Sequence, residues 1–390
     1  MIKARKNSFN RVLLPLTMTL LFSALVILQL SITTAANDNE TISCCTESYK
    51  SNETINHNDA LYNINNANLP NIAGRIVYHS YISYGDGTSQ LFIFDFQTRT
   101  VENISASWTN VIDPMNAVWT ADGQALVFMG RSTEQGHVNE YFHWDIFMYE
   151  IGAEGNPINL TNDPYSRNED PKMYPGSNTK FVYKSTCGID YVYRIRTMSI
   201  PCRTITTVHA NPYLETAMPA FSYDGNWIYF TGLVGGPTGQ VDIWRISRLG
   251  GVPTRVPKAS CFGAFQYYSI PNETGIFFAR HFGPIGGCSA DQIYHLNTTT
   301  GELTWMPFNI IGCNTSDIAI IDQYYSIISC TYYRGQGGYD LFIVHNITGE
   351  RWSLCLWNSD VNTEKCELGA WFTPTTRSTN GSGNLNQSPK

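Results

Sequence analysis

Short apolar runs recur along the chain at a nearly constant interval. Ile76-Val77-Tyr78, Leu126-Val127-Phe128, Phe181-Val182-Tyr183, Ile228-Tyr229-Phe230, Ile276-Phe277-Phe278 and Ile327-Ile328 begin about 50 residues apart. A second run trails each one with the same period: Leu91-Phe92, Ile146-Phe147, Val192-Tyr193, Ile243-Trp244, Ile293-Tyr294 and Leu341-Phe342. A turn precedes most first runs. It is Thr120-Ala121-Asp122-Gly123 in one copy and Ser222-Tyr223-Asp224-Gly225 in another, with a degenerate form at Tyr174-Pro175-Gly176-Ser177. Asp-Gly supplies the positive φ that joins two antiparallel strands. Segments such as Ile158-Asn159-Leu160-Thr161 and Leu303-Thr304-Trp305 close the unit. Each repeat therefore reads as four short strands, a to d, the unit of a propeller blade. A helical or leucine-rich solenoid would need a 3.6-residue period or a Leu ladder, and the chain has neither.

The first repeat begins at strand b. After the sixth, Gly369-Ala370-Trp371-Phe372-Thr373-Pro374 reads as a strand a with no b behind it. That strand is expected to complete the first blade and close the ring, which removes both open sheet edges. The expected fold is all-β: a six-bladed propeller of four-stranded antiparallel blades over residues 73–374. Trp119-Thr120-Ala121-Asp122-Gly123, Phe221-Ser222-Tyr223-Asp224-Gly225 and Asp242-Ile243-Trp244 resemble the TolB-like six-bladed propeller and its relatives in dipeptidyl-peptidase-type enzymes. These motifs are turns and strands, so the resemblance implies a fold and barely constrains function. The chain departs from it in showing neither the α/β domain that precedes the propeller in bacterial TolB nor a hydrolase domain. Blades three, five and six also lack the Asp-Gly turn.

The flanks differ in kind. Lys3, Arg5, Lys6 and Arg11 precede an apolar stretch from Val12 to Ile32 and the small residues Thr34-Ala35-Ala36. Residues 1–36 read as a signal peptide or an uncleaved signal anchor, with membrane contact only in the second case. Both place the rest on the extracellular side, secreted or at the cell surface. Residues 37–72 read as an Asn-rich disordered stalk and 375–390 as a disordered tail. The ten cysteines fit export, and no Cys-x-x-Cys pair occurs. Cys187 with Cys202 and Cys355 with Cys366 are expected local bridges, and Cys288 is expected to pair with Cys261 or Cys313. Sequons at Asn103, Asn159, Asn272, Asn297, Asn314 and Asn346 fall on turns, outer strands and one blade connection. Glycans there would leave one face of the propeller largely open.

That face carries the d–a connections and the long b–c loops. Asp113, Asp170, Glu215, Asp317 and Glu367 stand just before the strands a and are expected to ring the funnel mouth. Tyr141, His143 and Phe282 lie in its loops and complete the candidate ligand face. Net charge is −7, with 25 Lys and Arg against 32 Asp and Glu and no basic tract, so nucleic-acid binding is excluded. The eight His residues form no His-Glu-x-x-His motif, and no Gly-x-Ser-x-Gly elbow or phosphate loop appears. The expected role is an extracellular binding or scaffolding module for a protein or glycan. The alternative is a polysaccharide-lyase-like enzyme using Tyr141, His143 and His281. No cofactor is expected, and a divalent cation in the funnel is left open.

Overall fold

Each apolar triplet folds as the second strand of a four-stranded antiparallel sheet. The computed structural model describes residues 69–134, 143–187, 192–211, 214–234, 240–259, 265–285, 288–310, 313–331 and 338–373. The leader, most of the expected stalk and the tail lie outside the described residues. Blade 1 contains β1 (Arg75–Tyr81), β2 (Gln90–Asp95) and β3 (Thr100–Asn103). Blade 2 has β4 (Val111–Trp119), β5 (Ala125–Ser132), β6 (Asp145–Glu150) and β7 (Ile158–Asn159). Blade 3 has β8 (Ser166–Met173), β9 (Lys180–Cys187), β10 (Tyr193–Ser199) and β11 (Thr204–Asn211). Blade 4 has β12 (Leu214–Phe221), β13 (Trp227–Val234), β14 (Gln240–Ser247) and β15 (Thr254–Arg255). Blade 5 has β16 (Phe265–Pro271), β17 (Gly275–Ile285), β18 (Cys288–Asn297) and β19 (Leu303–Trp305). Blade 6 has β20 (Thr315–Ile320), β21 (Tyr325–Thr331), β22 (Tyr339–His345) and β23 (Arg351–Ser353). The last strand, β24 (Cys366–Thr373), joins blade 1 in the order β24-β1-β2-β3, giving six sheets of four strands.

The second strands are buried on both faces because blades stack face to face. In β5 seven of eight residues are buried, which is why these strands read as unbroken apolar runs rather than as alternation. The Asp-Gly turns form as expected. Gly123 and Gly225 take φ of 66° and 69°. Asp122 accepts hydrogen bonds from Thr120 Oγ1 (2.7 Å) and the Gln124 N–H (3.0 Å), and Asp224 does the same for Ser222 and Asn226. Asp145, which opens β6, binds the end of its own blade, accepting from Asn159 Nδ2 (2.9 Å) and Thr161 Oγ1 (2.6 Å). Leu69 and Ile72, the end of the expected stalk, pack into the core between blades 1 and 6, as apolar side chains next to a sheet edge should.

Closure is tight. Trp371 is the Cα partner of Val77, Phe372 of Ile76 and Thr373 of Arg75. The Trp371 ring packs against four of the six apolar clusters, so it reaches across the centre of the ring. Its carbonyl accepts the indole N–H of Trp119 at 3.0 Å, tying the last strand to blade 2 as well. Trp371→Ala is expected to destabilise the protein by about 3–5 kcal/mol. Denaturant unfolding checks this against Tyr324→Ala, a change at a 47% exposed position that should cost far less.

Candidate functional site

The six innermost strands, β4, β8, β12, β16, β20 and β24, enclose a central cavity. In every blade the ladder between the first and second strand slips near the same place. In five blades the bulge residue has a left-handed backbone: Asn116 (φ 52°), Asp170 (56°), Met218 (51°), Asp317 (23°) and Gly369 (61°). A bulge re-aims its residue, and all five line the cavity. Left-handed geometry costs a non-glycine residue roughly 1–2 kcal/mol, so contacts around the ring must hold it. Asp170 accepts from Asn116 Nδ2 on one side (3.0 Å) and the Met218 N–H on the other (3.4 Å). Asp317 accepts the Gly369 N–H at 3.2 Å. The Asn116 N–H points to His79 Nδ1 at 3.4 Å. At Gly369 a Cβ would meet His79 Cε1 at 2.5 Å, so only glycine fits.

The five expected rim acids lie within the first strands of their blades rather than before them, three are buried, and all are engaged within the protein. Asp113 pairs with Arg131 and accepts the Gly87 and Ser89 N–H groups, fastening the β1–β2 loop to blade 2. Asp170 and Asp317 belong to the bulge ring. Glu367, fully buried, accepts from Ser80 Oγ (2.9 Å) and Thr363 Oγ1 (2.6 Å). Glu215 accepts the Tyr193 hydroxyl, and burial raises its carboxyl above the ordinary value. These groups build the funnel wall more than they face solvent.

The polar groups beside them went unnoticed in the sequence. Glu169 bridges Arg167 and Lys184, each at 2.6 Å. Burial alone would raise its carboxyl, but the two cations hold it at about 2. Lys172 carries its ammonium 5.0 Å from the Trp371 ring centre, and burial lowers its affinity for the proton against the pull of Asp170 and Asp317. Tyr81, Tyr193 and Tyr339 have phenols pushed up by burial first, then by nearby acidic groups, Cys366 ahead of Asp317 for Tyr81, Glu215 for Tyr193 and Asp291 for Tyr339. Tyr84, 50% exposed, leans on Trp144 (6.0 Å between ring centres) and Tyr81 (6.4 Å), and Tyr81 stacks on His79 (5.6 Å). This makes a continuous aromatic wall from blade 1 to blade 2. One signal was available: β8, Ser-Arg-Asn-Glu-Asp-Pro-Lys-Met, is charged where the other first strands are mainly apolar.

Tyr141 and Cys261 lie outside the described residues, as do the side chains of His281, Phe282, Cys187 and Cys288. His143 is half-buried before Trp144, which is itself buried. No group of His, Cys, Asp or Glu able to hold a metal ion occurs among the described residues. Nor is any described helix long and apolar enough to cross a membrane.

One expected bridge needs correction. Cys187 ends β9, whereas Cys202 lies in the β10–β11 turn, and the Ser199–Lys180 and Tyr193–Thr186 pairings put them at opposite ends of blade 3. Roughly 20 Å of strand separates the two ends, far beyond disulfide reach. Cys355 follows the outermost strand of blade 6 and Cys366 opens the innermost strand of blade 1. Cys313, Cys330, Cys355 and Cys366 all carry reduced thiols in this structure, the first two buried. The sequon residues Asn103 and Asn159 sit on β3 and β7, Asn272 in the β16–β17 turn, Asn297 and Asn346 where β18 and β22 end, and Asn314 before β20.

Acid should loosen this site. The His79 imidazole is lowered from 6.5 to about 3, by burial and then by the charge of Lys172. The unfolded chain therefore takes up this proton near pH 6.5 and the folded chain only near 3. Stability is full above the upper value and falls as pH drops through the window. Glu169 adds a loss of the same sign, present above about 4.5 and gone as pH approaches about 2. Denaturation midpoints measured against pH should show both slopes. His79→Gln should flatten the upper one alone, and Glu169→Gln should cost about 3–5 kcal/mol at neutral pH by leaving two cations without their carboxylate.

No family profile matches the chain, and no curated protein matches it in sequence. Among solved structures it is similar to TolB from Acinetobacter baumannii, with 15% identity and a TM-score of 0.56 over 77% of this chain and 67% of that one. It is similar to Kuenenia stuttgartiensis hydrazine synthase, with 10% identity and a TM-score of 0.58, over 77% of this chain but 47% of the synthase chain. An oligogalacturonate lyase from Vibrio parahaemolyticus is 11% identical, with a TM-score of 0.48 over 71% and 74% of the two chains. At these identities the likeness shows architecture, and the architecture is that of the TolB-like six-bladed propeller.

Proposed function

We propose that the protein is an exported, glycosylated binding propeller that takes a protein or glycan ligand at the long-loop mouth of its funnel. The observation that supports this most directly is the wall formed by Tyr84, Tyr81 and Trp144, with half-exposed Tyr84 at its top. An open ring flanked by fixed charges suits stacking of a sugar face with hydrogen bonds to its hydroxyls, or an aromatic anchor from a protein. Below the wall, Trp371 lies across the centre of the ring, so a ligand would seat in a blind funnel. Deep in the funnel, His79 is held down at about 3 and Glu169 at about 2, so each keeps one charge state near neutral pH. Of the residues of the lyase alternative, Tyr141 and the side chain of His281 lie outside the described residues.

Full-length protein made in a secretory host, screened on a glycan array with and without a chelator, tests the reading. Binding is expected to weaken about tenfold in Tyr84→Ala while the melting temperature holds. Array binding indifferent to Tyr84 would place the ligand elsewhere. Export has its own measurement, deamidation mass spectrometry after glycosidase treatment, with occupied sites expected among Asn272, Asn297 and Asn346.

A further inference from the structure

Cys313 and Cys330 are the two described cysteines that the fold brings into one apolar cluster, 1% and 4% exposed. Cys313 closes the connection from blade 5 to blade 6, and Cys330 lies near the end of β21. The register places Thr315 opposite Cys330. Cys313, two residues before Thr315, falls on the same side of the sheet and diagonal to Cys330. Two hydrogen bonds clamp the chain between them: the Thr331 N–H to the Asn314 carbonyl at 2.9 Å and the Asn314 N–H to Thr331 Oγ1 at 3.1 Å. A diagonal pair held in a ladder stands slightly too far apart for a disulfide. Cys313 precedes β20, however, and lies outside the ladder: its N–H bonds the Ile310 carbonyl (3.2 Å) and its carbonyl accepts from Gln292 Nε2 (2.8 Å), so the ladder spacing does not bind this pair.

We propose that Cys313 and Cys330 form a structural disulfide in the exported protein, stapling the blade 5–blade 6 connection to β21 at the funnel mouth. The inference rests on the export reading above. Each thiol gives up a proton and an electron as the S–S bond forms. A low-molecular-weight disulfide such as oxidised glutathione takes up both electrons and both protons, and its own S–S bond breaks to two thiols. Burial raises both thiols, Cys330 to about 12 with the neighbouring Cys313 adding to it, so neither reacts readily once packed. The bond therefore forms while the blade assembles and then resists reductant. It closes a loop of roughly 16 residues, a length at which cross-linking the unfolded chain stabilises appreciably. It also leaves Cys288 to Cys261, the other partner that the sequence allows.

Chymotryptic mapping decides the matter, because Phe308 and Tyr325 allow cuts that part Cys313 from Cys330, whereas all trypsin sites between Arg280 and Arg334 are missing. Secreted full-length protein is blocked with a thiol alkylator without reductant, digested and sequenced by mass spectrometry. The expected result is a Cys313–Cys330 cross-linked peptide, alkylated at both positions only after denaturation and reduction. Reduction should lower the melting temperature by about 5 °C more than it does in the Cys313→Ser/Cys330→Ala double variant, which keeps the other cysteines. Free Cys313 or Cys330 in protein whose sequons carry glycans overturns the proposal, as does Cys313 linked to any other cysteine. Sequons without glycans overturn the export reading instead. In that case, unfolded reduced protein refolded with oxidised glutathione must still give the 313–330 peptide for the pairing to survive.

Discussion

Everything in this molecule hangs on the pairing of β24 with β1. A ring of sheets has no intrinsic end: without a latch, the first blade exposes a row of unpaired backbone groups and the sixth an uncovered apolar face. Residues almost 300 positions apart in the chain must meet to prevent this, and Val77 opposite Trp371 is where they do. The loop-closure cost of such a contact grows only slowly with length, so one well-packed side chain repays it. Trp371 suits that task because it touches most of the apolar clusters at once. The latch and the floor of the funnel are therefore one residue.

From the latch the geometry propagates inward. Six strands running side by side around an axis crowd one another, and the bulge near the middle of each relieves the crowding and turns a residue toward the cavity. Five of those residues have left-handed backbones, strained in the four that are not glycine, and the Asp170 and Asp317 carboxylates offset the strain with hydrogen bonds to the neighbouring blades. Carboxylates placed near a funnel mouth look like ligand groups from sequence, yet here they act as rivets. Their distinguishing feature is a left-handed φ, which no residue type announces.

This explains what was legible in the sequence. Strand period, Asp-Gly turns and the orphan strand at Gly369–Pro374 are local or register-level signals, and they mapped directly onto blades and closure. The Cys187–Cys202 pairing failed because proximity along a meander says nothing about which end of a strand a residue occupies; the register of β9 against β10 decides that. Lys172 and Glu169 escaped notice because Lys184, which completes the Glu169 bridge, comes from the next strand, and Trp371, which faces Lys172, comes from another blade. Asp113 and Asp170, both followed by proline, looked alike as turn formers, but one fastens a loop and the other a ring.

Symmetry makes blade 3 informative. At the register position of Lys172, opposite the middle of the second-strand triplet, the other blades carry Val118, Ala220, Ile270, Ala319 and Trp371. An apolar side chain evidently satisfies the fold there five times out of six. Three residues upstream, blade 3 also buries Glu169 between Arg167 and Lys184, an arrangement that well-packed apolar residues commonly match or exceed in stability. Packing thus gives no reason for charge in this one blade, while the proposed ligand would: a sixfold ring reads nothing asymmetric until one sector differs. The charged strand of blade 3 and the aromatic wall of blades 1 and 2 supply that difference, and together they define the side of the funnel on which recognition should be sought.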